Sequence, residues 1–452
     1  MRLAALLVLL LSSALPAQHL IPHTLDLPKQ KQITLALPAN LTIEVAATGL
    51  HCPRFFALSP DHRTFVADLF NRSDNSKGAL YILDGWDPRT HTFARVVPYL
   101  ENLRNPNSLA FYTEPARPGK PAQTWLYTAL TDKLIRFRYN PGDNHPTSPP
   151  ETLATYPDYG LSYKYGGWHL TRTVAFAQMH GATHLYVTVG SSCNACQEKE
   201  PIRASLTIMD PDGSNQHILA QGLRNAVDLH YIPQIDGGAL FATNMGVDHL
   251  GEHSPEDTFF ELDSNSHAGP ASDPAKPANY GWPTCYFLDG TAHPDPSVSA
   301  PQPDQHILNA QPGPPPPQID CTTVAPAYTT FLAHSSPLGF EYFGEDNDAI
   351  ANTFLVALHG SSRARIGTGY RVVSFSPKAR HPRNLVLGFL TEENGRSRIK
   401  GRPCGMLRIS PDSFLLSDDL NGVVYVIRPG NLLKRSRHIP GFKKRKPLSS
   451  QV

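Results

Sequence analysis

The sequence carries little charge. Only 17% of its 452 residues are Asp, Glu, Lys or Arg, below the roughly 25% typical of soluble globular chains. The 40 basic and 39 acidic side chains leave a formal net charge of +1, which argues against a nucleic-acid partner because such a partner needs a basic face. With 40% hydrophobic residues, the composition also excludes a disordered chain or a coiled coil.

Long apolar runs are missing beyond the first residues. The apolar run over residues 3–15 is too short to span a bilayer, and the small residues that follow it predict that residues 1–17 are a signal peptide. No later stretch of about 18 uninterrupted apolar residues follows. We therefore expect an exported protein, periplasmic or secreted, with no integral membrane segment once the signal is removed.

The last segment is unlike the rest of the chain in charge. Seven Lys and Arg residues lie between Lys434 and Lys446, so the remainder is slightly acidic. We predict that residues 431–452 form a basic flexible tail in solvent; a weak contact with an anionic surface is the alternative.

Proline and glycine are abundant, and they accompany a repeated pattern. The 43 Pro and 32 Gly residues predict many chain reversals and short strands. An apolar strand, a polar turn and a second strand occur six times, and a third strand follows most copies. The first strands are predicted at 55–58, 108–111, 173–176, 227–230, 338–342 and 406–410, and the second at 64–68, 125–127, 185–190, 239–243, 353–357 and 414–418.

Six small sheets spaced about 50–70 residues apart predict radial repetition. We therefore predict an all-β fold, a six-bladed β-propeller over residues 37–430. A two-sheet sandwich would not accommodate so many equivalent hairpins. A Pro-rich insertion at about 263–326 interrupts the pattern, and long ordered loops of this kind are often functional.

The six cysteines favour disulfide bonds in an exported chain, although six allow 15 pairings. A Cys285–Cys321 bond would tie the base of the insertion. Cys193-Asn194-Ala195-Cys196 has no second CxxC or HxxxH to complete a zinc site, which leaves a local disulfide or an unbonded pair. Cys52 and Cys404 precede the first strands of the first and last repeats, so a bond between them could clasp the ring.

The loops that enter the innermost strands carry most of the candidate chemistry. Propellers collect ligands at one end of the central channel, where such loops meet. These segments contain His, Arg, Asn and Asp side chains at 166–172, 222–225, 243–248, 333–337, 359–363 and 401–403. Guanidinium groups bind carboxylates in a bidentate manner and an imidazole accepts a proton near neutral pH. The set suits a small polyanionic cofactor beside a proton acceptor.

Several motifs in this order resemble the soluble glucose/sorbosone dehydrogenases, and the sorbosone dehydrogenase branch fits best. The resemblance spans roughly residues 37–429. It is carried by His169-x-x-Arg172-Thr173, Leu185-Tyr186-Val187-x-Val189-Gly190-Ser191, Gly222-Leu223-Arg224-Asn225-Ala226-Val227, Asp257-x-x-Phe260, Asn279-Tyr280-Gly281-Trp282-Pro283 and Gly401-Arg402-Pro403-x-Gly405. That family is a six-bladed propeller that uses pyrroloquinoline quinone (PQQ) with calcium. The resemblance implies a quinoprotein dehydrogenase that oxidises an aldose or sugar aldehyde and passes electrons to an external acceptor.

The resemblance also implies a role for one histidine. His169 matches the base that takes the proton of the substrate hydroxyl while a hydride moves to the quinone. The alternative for an isolated histidine is a hydrogen bond to a neighbouring loop. Glucose-oxidising members orient this base with a carboxylate, but here Ser191 takes that place. A weaker orienting group would leave the imidazole less basic.

Four residues match positions that contact the cofactor in the family: Arg224, Asn225, Arg363 and Arg402. Each has a structural alternative. The Arg224-Asn225 pair could cap a β-turn, Arg363 competes with Arg365 for its role, and Arg402 could pair with a nearby carboxylate. Where glucose-oxidising members carry a further arginine, this chain has Cys404.

The loop Gly246-Val247-Asp248 resembles the stretch whose backbone carbonyls help to hold the calcium ion. Asp248 and Asp257 could instead be turn residues. Two rival functions stay open: a calcium-dependent lactonase-type hydrolase, which would need several inward Asn and carboxylate ligands, and a non-catalytic binding propeller with a decayed site. Fold alone does not decide among these functions.

Overall fold

The computed structural model describes most of the chain. The described residues are 19–158, 169–179, 181–262, 277–300, 315–344 and 350–430, together with the backbone of 302–303 and 312–313. The expected signal peptide, the expected basic tail and parts of the Pro-rich insertion lie outside these residues.

Six sheets of four or five strands form the body of the molecule. Blade 1 contains Pro53–Leu58, Thr64–Asp68, Gly78–Asp87 and Thr92–Leu103; blade 2 contains Ser108–Glu114, Gln123–Ala129, Lys133–Tyr139 and Glu151–Thr155; blade 3 contains Arg172–Met179, Ala182–Val189, Ser205–Met209, His217–Gln221 and Ala278–Asn279. Blade 4 contains Ala226–Ile232, Ala239–Asn244, Asp257–Glu261 and Thr329–Phe331; blade 5 contains Pro337–Phe343, Thr353–Leu358, Arg371–Phe375 and Arg383–Val386; blade 6 contains Pro403–Ser410, Ser413–Asp418, Val423–Pro429 and Leu41–Ala47.

The first strands of the six blades contact one another in a closed ring, from blade 1 through blade 6 and back to blade 1. The all-β, six-bladed propeller predicted from the sequence is therefore confirmed. Each second strand is buried along most of its length; in Thr64–Asp68 and Ala239–Asn244 every residue is buried. These strands lie between two neighbouring blades, so both of their faces are covered, which explains why they are apolar runs rather than alternating ones.

The ring closes through backbone pairing rather than through a disulfide. Leu41–Ala47 joins blade 6 as its outermost strand, antiparallel to Val423–Pro429. Cys52 and Cys404 are both buried and unbonded, so the expectation that a bond between them clasps the ring is wrong. A strand from the beginning of the chain already holds the last blade, and burial keeps the Cys404 thiol protonated by raising its pKa to about 12.

The remaining elements are short. Two hairpins, Leu20–Leu27 with Lys31–Pro38 and Leu390–Glu393 with Arg396–Ile399, stand outside the blades. The insertion contains the paired strands Cys285–Leu288 and Thr291–Pro294, the paired strands Gln302–Pro303 and Pro312–Gly313, and the 3-10 helices Pro296–Val298 and Cys321–Thr323; a third 3-10 helix is Ala364–Ile366. The predicted Cys285–Cys321 disulfide is present. Among the described residues, no helix has the length and apolar character needed to cross a membrane.

Candidate active site

A cavity of about 530 Å³ opens at the end of the ring where the first strands begin. Loops of blades 3, 4 and 5 line it. Five residues singled out from the sequence meet there: His169, Arg224, Gly246, Asp248 and Arg363. These five residues alone place an imidazole, two guanidinium groups and a carboxylate around one space of the size that binds small molecules, roughly 300–1,000 Å³.

His169 enters the cavity on a tight turn just before blade 3. Its φ of 50° is in the left-handed region, which histidine adopts more readily than most non-glycine residues and which suits a tight turn. Arg172, buried beneath it, donates from Nη1 to the carbonyl of His169 at 2.6 Å and to that of Thr171 at 2.9 Å. Gly190 leaves the necessary space, because a Cβ there would lie 2.5 Å from the His169 Cβ. The turn thus fixes the imidazole against the end of a blade 3 strand.

Ser191 contacts the Nδ1 side of the His169 ring. The His169 Nδ1 lies 3.1 Å from the carbonyl oxygen of Ser191 and 2.9 Å from the Ser191 hydroxyl. Burial, and then the positive charge of Arg224, lower the pKa of His169 well below its ordinary value. The imidazole is therefore neutral at neutral pH, the state in which it accepts a proton.

Arg224 is almost fully engaged by protein acceptors. Its Nε donates to the Asn194 carbonyl at 2.9 Å, Nη1 to the Gly246 carbonyl at 2.6 Å, and Nη2 to Asn194 Oδ1 at 2.8 Å and Asp248 Oδ2 at 2.7 Å. A guanidinium has five N–H donors, so one Nη1 donor faces no acceptor among the described residues. Burial lowers the pKa of Arg224, and Asp248 partly offsets that effect.

Asp257 is a cavity residue that the sequence interpretation treated as a possible turn residue. It begins the third strand of blade 4. Its buried carboxylate accepts from the backbone N–H of Gly246 and of Ser336, both at 2.8 Å, and so joins a blade 4 loop to a blade 5 loop. Burial raises the pKa of Asp257 to about 7. In the sequence, only the motif Asp257-x-x-Phe260 indicated that Asp257 could belong to the site.

The blade 5 side of the cavity distinguishes the two competing arginines. Arg363 lines the cavity together with Ser361 and Ser362. Arg365 instead forms an ion pair with Glu252. Of the two, Arg363 is the one that lines the cavity.

Arg402 does not line the cavity. It is 3% exposed, and its guanidinium donates to the carbonyl oxygens of Gly360 at 2.9 Å and Ser361 at 3.0 Å and lies over the Tyr370 ring. Its contacts therefore support the loop that carries Arg363.

Two further predicted residues also stand behind the cavity wall. Asn225 is buried, and its side-chain oxygen accepts no hydrogen bond from the described residues. Val247 packs its side chain against Ala195 and Trp282, so only its backbone carbonyl is a possible metal ligand.

A polar network fills the ring beside this loop. His359 Nε2 lies 2.9 Å from both carboxylate oxygens of Asp419. Arg54 donates to Asp419 Oδ2 at 3.0 Å and to Asn107 Oδ1 at 3.0 Å. Burial raises the pKa of the Asp419 carboxyl, but His359 and then Arg54 more than offset this and lower it to about 2. Through these contacts Arg54, Asn107, His359 and Asp419, all of them buried, form one connected network.

The Cys193-Asn194-Ala195-Cys196 motif is a disulfide loop next to the cavity. Among the described residues, only Cys193, Cys196 and Glu198 form a cluster of three potential metal-ligand side chains. Because its two sulfurs are bonded to each other, the motif is not a zinc half-site. Asn194 inside the loop contacts Arg224, and this link was missed because nothing in the spacing predicts it.

The sequence model of a family described as TrAA12-like matches residues 119–429. Among solved structures, the PQQ domain of pyranose dehydrogenase from Coprinopsis cinerea is 19% identical, with a TM-score of 0.62 over 89% of this chain and 100% of that chain. A calcium structure of the family AA12 protein of Trichoderma reesei is 17% identical, with a TM-score of 0.62 over 88% and 97%. The PQQ-bound aldose sugar dehydrogenase of Streptomyces coelicolor is 15% identical, with a TM-score of 0.50 over 87% and 100%.

At these identities the structural likeness establishes the fold. No protein with a curated function matches the chain in sequence.

Proposed function

The chain belongs to the TrAA12-like family, and on that premise we propose that it is a PQQ-dependent dehydrogenase that oxidises an aldose or a sugar aldehyde with the help of calcium. The observation that carries the proposal is the meeting of His169, Arg224 and Arg363 around one cavity. The similar structures named for PQQ, for pyranose or aldose sugar oxidation and for calcium support the choice of cofactor and substrate class.

The donor set fits PQQ, a quinone with three carboxylates. Arg224 offers one Nη1 donor that the described protein groups leave unused, and Arg363 adds a second positive charge on the opposite, blade 5 side. Charge-assisted bonds from arginine to carboxylate are among the stronger hydrogen bonds of proteins. These two residues would hold the cofactor. Asn225 and Arg402, which are buried behind the cavity wall, would support the loops that line it.

The same cavity wall offers oxygen ligands for calcium. Asp248 exposes 56% of its side chain, and the Gly246 carbonyl, although it accepts from Arg224, has a second lone pair. Calcium takes six to eight oxygen ligands. The loop Gly246-Val247-Asp248 would therefore supply part of the shell, and the cofactor and water would supply the rest.

The mechanism assigns proton removal to His169. The substrate hydroxyl donates its proton to the imidazole nitrogen that faces away from Ser191, and the carbon that bears the hydroxyl loses a hydride. When bound, PQQ supplies the two-electron acceptor for that hydride. Arg224 and Arg363 neutralise negative charge that develops beside them, which is the kind of preorganised electrostatic stabilisation that enzymes use. Turnover would also require an external electron acceptor.

We further propose that the protein is exported. Its two disulfides, Cys193–Cys196 and Cys285–Cys321, are typical of oxidising compartments. Residues 1–17, outside the described part, would be the signal peptide.

The test is reconstitution of purified protein with PQQ, with and without calcium, followed by dye reduction with a panel of aldoses, sugar aldehydes and simple alcohols. We expect activity with sugars that requires PQQ and is lost in His169→Ala. Hydrolysis of lactones without PQQ would instead indicate the calcium-dependent hydrolase. Failure of the wild-type protein to bind PQQ in a spectroscopic titration would indicate a binding propeller.

A further inference from the structure

The disulfide loop Ser191–Glu198 touches both of the groups proposed to act in the cavity. Ser191 begins it beside His169, and Asn194, between the two bonded cysteines, contacts Arg224. At the other end, Glu198 accepts from the backbone N–H of Ser192 at 2.7 Å and from its hydroxyl at 2.5 Å. The loop is thus closed twice, once by a covalent bond and once by a carboxylate.

On the histidine side, the hydrogen bonds determine which ring nitrogen carries the proton. The Ser191 hydroxyl donates its single proton to the Cys193 carbonyl at 2.6 Å, so toward His169 it can only accept. The Ser191 carbonyl, the second neighbour of Nδ1, is an acceptor by nature. Both neighbours of Nδ1 therefore require a proton on that nitrogen, and the neutral ring has its lone pair on Nε2.

On the arginine side, Asn194 fixes the guanidinium in orientation. Its backbone carbonyl accepts from Arg224 Nε at 2.9 Å and from Trp282 Nε1 at 2.9 Å. Its side-chain oxygen accepts from Arg224 Nη2 at 2.8 Å and from the Asp248 N–H at 2.9 Å. In addition, the Ser191 N–H donates to the Arg224 carbonyl at 2.8 Å. Histidine and arginine are therefore linked through the same short segment.

The disulfide restricts the two atoms on which these contacts depend. The Cys193 carbonyl and the whole of Asn194 lie within the ring that Cys193–Cys196 closes. Cys193 is fully buried and packs with Ala195 and Ala204 against Trp282 and Val298. The covalent ring and this packing together leave the carbonyl little freedom to move away from Ser191.

We propose that the Cys193–Cys196 loop is the positioning element of the cavity, in which Ser191 fixes the tautomer of His169 and Asn194 fixes the orientation of Arg224. This inference rests on the proposed function for its catalytic meaning. Ser191 then orients the imidazole of His169, a role for which a carboxylate is common. Its hydroxyl can do so because it donates its own proton to the Cys193 carbonyl. Ser191 and Asn194 are positioning residues, since they act through His169 and Arg224.

The tautomer is tested without cofactor by imidazole ¹⁵N–¹H correlation spectra of ¹⁵N-histidine-labelled protein, with the His169→Gln spectrum identifying the signals of His169. We expect a protonated Nδ1 in the wild type and in Ser205→Ala, a matched control in which another buried serine that donates to a carbonyl is removed. A proton on Nε2 in the wild type would overturn the inference.

Steady-state kinetics of the enzyme reconstituted with PQQ and calcium give a second test of the role of Ser191. Ser191→Ala keeps the carbonyl but loses the hydroxyl, so we expect kcat to fall about ten-fold with little change in KM, as for loss of one hydrogen bond to a charged group. A hydrogen-bond acceptor beside Nδ1 stabilises the imidazolium and so raises the pKa of His169, and a carboxylate raises it more. The acid limb of the pH profile should therefore move to lower pH in Ser191→Ala and to higher pH in Ser191→Asp. Unchanged kcat and pH limb in Ser191→Ala would overturn the role of Ser191.

The disulfide is tested by Cys193→Ser/Cys196→Ser against the control Cys285→Ser/Cys321→Ser. The control bond joins cysteines 36 residues apart, whereas Cys193 and Cys196 are 3 residues apart. Loss of the control bond should therefore lower the unfolding midpoint more than loss of the Cys193–Cys196 bond. Only the Cys193/Cys196 variant should mix the His169 tautomers and weaken PQQ binding, by about ten-fold. If it leaves both unchanged, the loop is not the positioning element.

Failure of the proposed function would look different from failure of this inference. A wild type with a protonated Nδ1 whose activity survives His169→Ala would support the tautomer assignment and overturn the role of His169 as base.

Discussion

One end of the propeller ring contains two polar regions with opposite designs. His169 and Arg363 line the cavity between blades 3, 4 and 5. In the network of Arg54, Asn107, His359 and Asp419, side chains of similar chemistry face one another and are buried. The difference teaches that residue type alone does not mark a site. What marks the cavity is the open volume of about 530 Å³ that its polar side chains border.

Exchange of the two histidines for alanine gives the largest expected contrast. His169→Ala should lower kcat with PQQ by about 100- to 10,000-fold, the range for loss of a general base, with little change in stability. His359→Ala should do the reverse, since its imidazole serves Asp419. Steady-state kinetics and urea unfolding of both variants check this. A larger kcat loss in His359→Ala would invert the comparison.

The second contrast concerns stability. Asp419→Asn should lower the free energy of unfolding by about 3–5 kcal/mol, because it leaves the buried Arg54 charge uncompensated. The Asp419 pKa of about 2 lies below the ordinary value of about 3.9, so its stabilising contribution is complete above about pH 4 and is lost as the pH falls toward 2.

Urea unfolding at pH 7 and at pH 3 measures both effects. The difference between wild type and Asp419→Asn should be smaller at pH 3. As the matched variant in the cavity, Asp248→Asn should cost less than Asp419→Asn, because Asp248 is half exposed and the buried Arg224 keeps its Asn194 and Gly246 acceptors. Equal losses in the two variants would remove the distinction between the regions.

The third contrast compares two buried arginines. Arg224→Lys should raise the dissociation constant for PQQ about 10- to 100-fold, since it removes a charge-assisted bond and the fixed guanidinium fork. Arg402→Lys should leave PQQ affinity within about three-fold, because Arg402 bonds to loop carbonyls outside the cavity. Titration by fluorescence quenching measures both. A larger effect in Arg402→Lys would return that residue to direct cofactor contact.

The smallest expected effect is on the pH dependence of kcat/KM. Because burial and Arg224 depress the pKa of His169, its neutral, proton-accepting form persists into acid. The acid limb should therefore lie below the ordinary histidine value of about 6.5. Rates from pH 4 to 8 in wild type and in Arg224→Lys, which keeps the positive charge, check this. A limb above pH 6.5 would contradict the depressed pKa.

The blades were predictable because their second strands are local apolar runs. Phe354-Leu355-Val356-Ala357 is buried along its whole length, and such a run between turns indicates a strand covered on both faces. Ring closure was not predictable in the same way. The partner of Leu41–Ala47 is set by the topology of the whole ring, so matching positions of Cys52 and Cys404 led to a wrong expectation.

Sequence motifs identified some of the residues that line the cavity. They did not identify residues whose role depends on tertiary contacts. His169 and Arg224 meet in one cavity as expected. Asn194 and Asp257 act largely through backbone N–H and C=O groups of other loops, and the sequence contains no periodic trace of such contacts. Arg402 shows the same limit, since only the folded loop reveals which carbonyls its guanidinium takes.

The last strand of blade 6 has a consequence for biosynthesis. Glu44 and Arg428, which pair at 2.8 Å, are 384 residues apart in the chain. At about 5–20 residues per second, the ribosome delivers the later partner roughly 20–80 s after the earlier one. Through that interval Leu41–Ala47 lacks its antiparallel partner strand and has only early segments such as Thr92–Leu103 to pack against, so the hydrogen-bonding edge of this strand stays open.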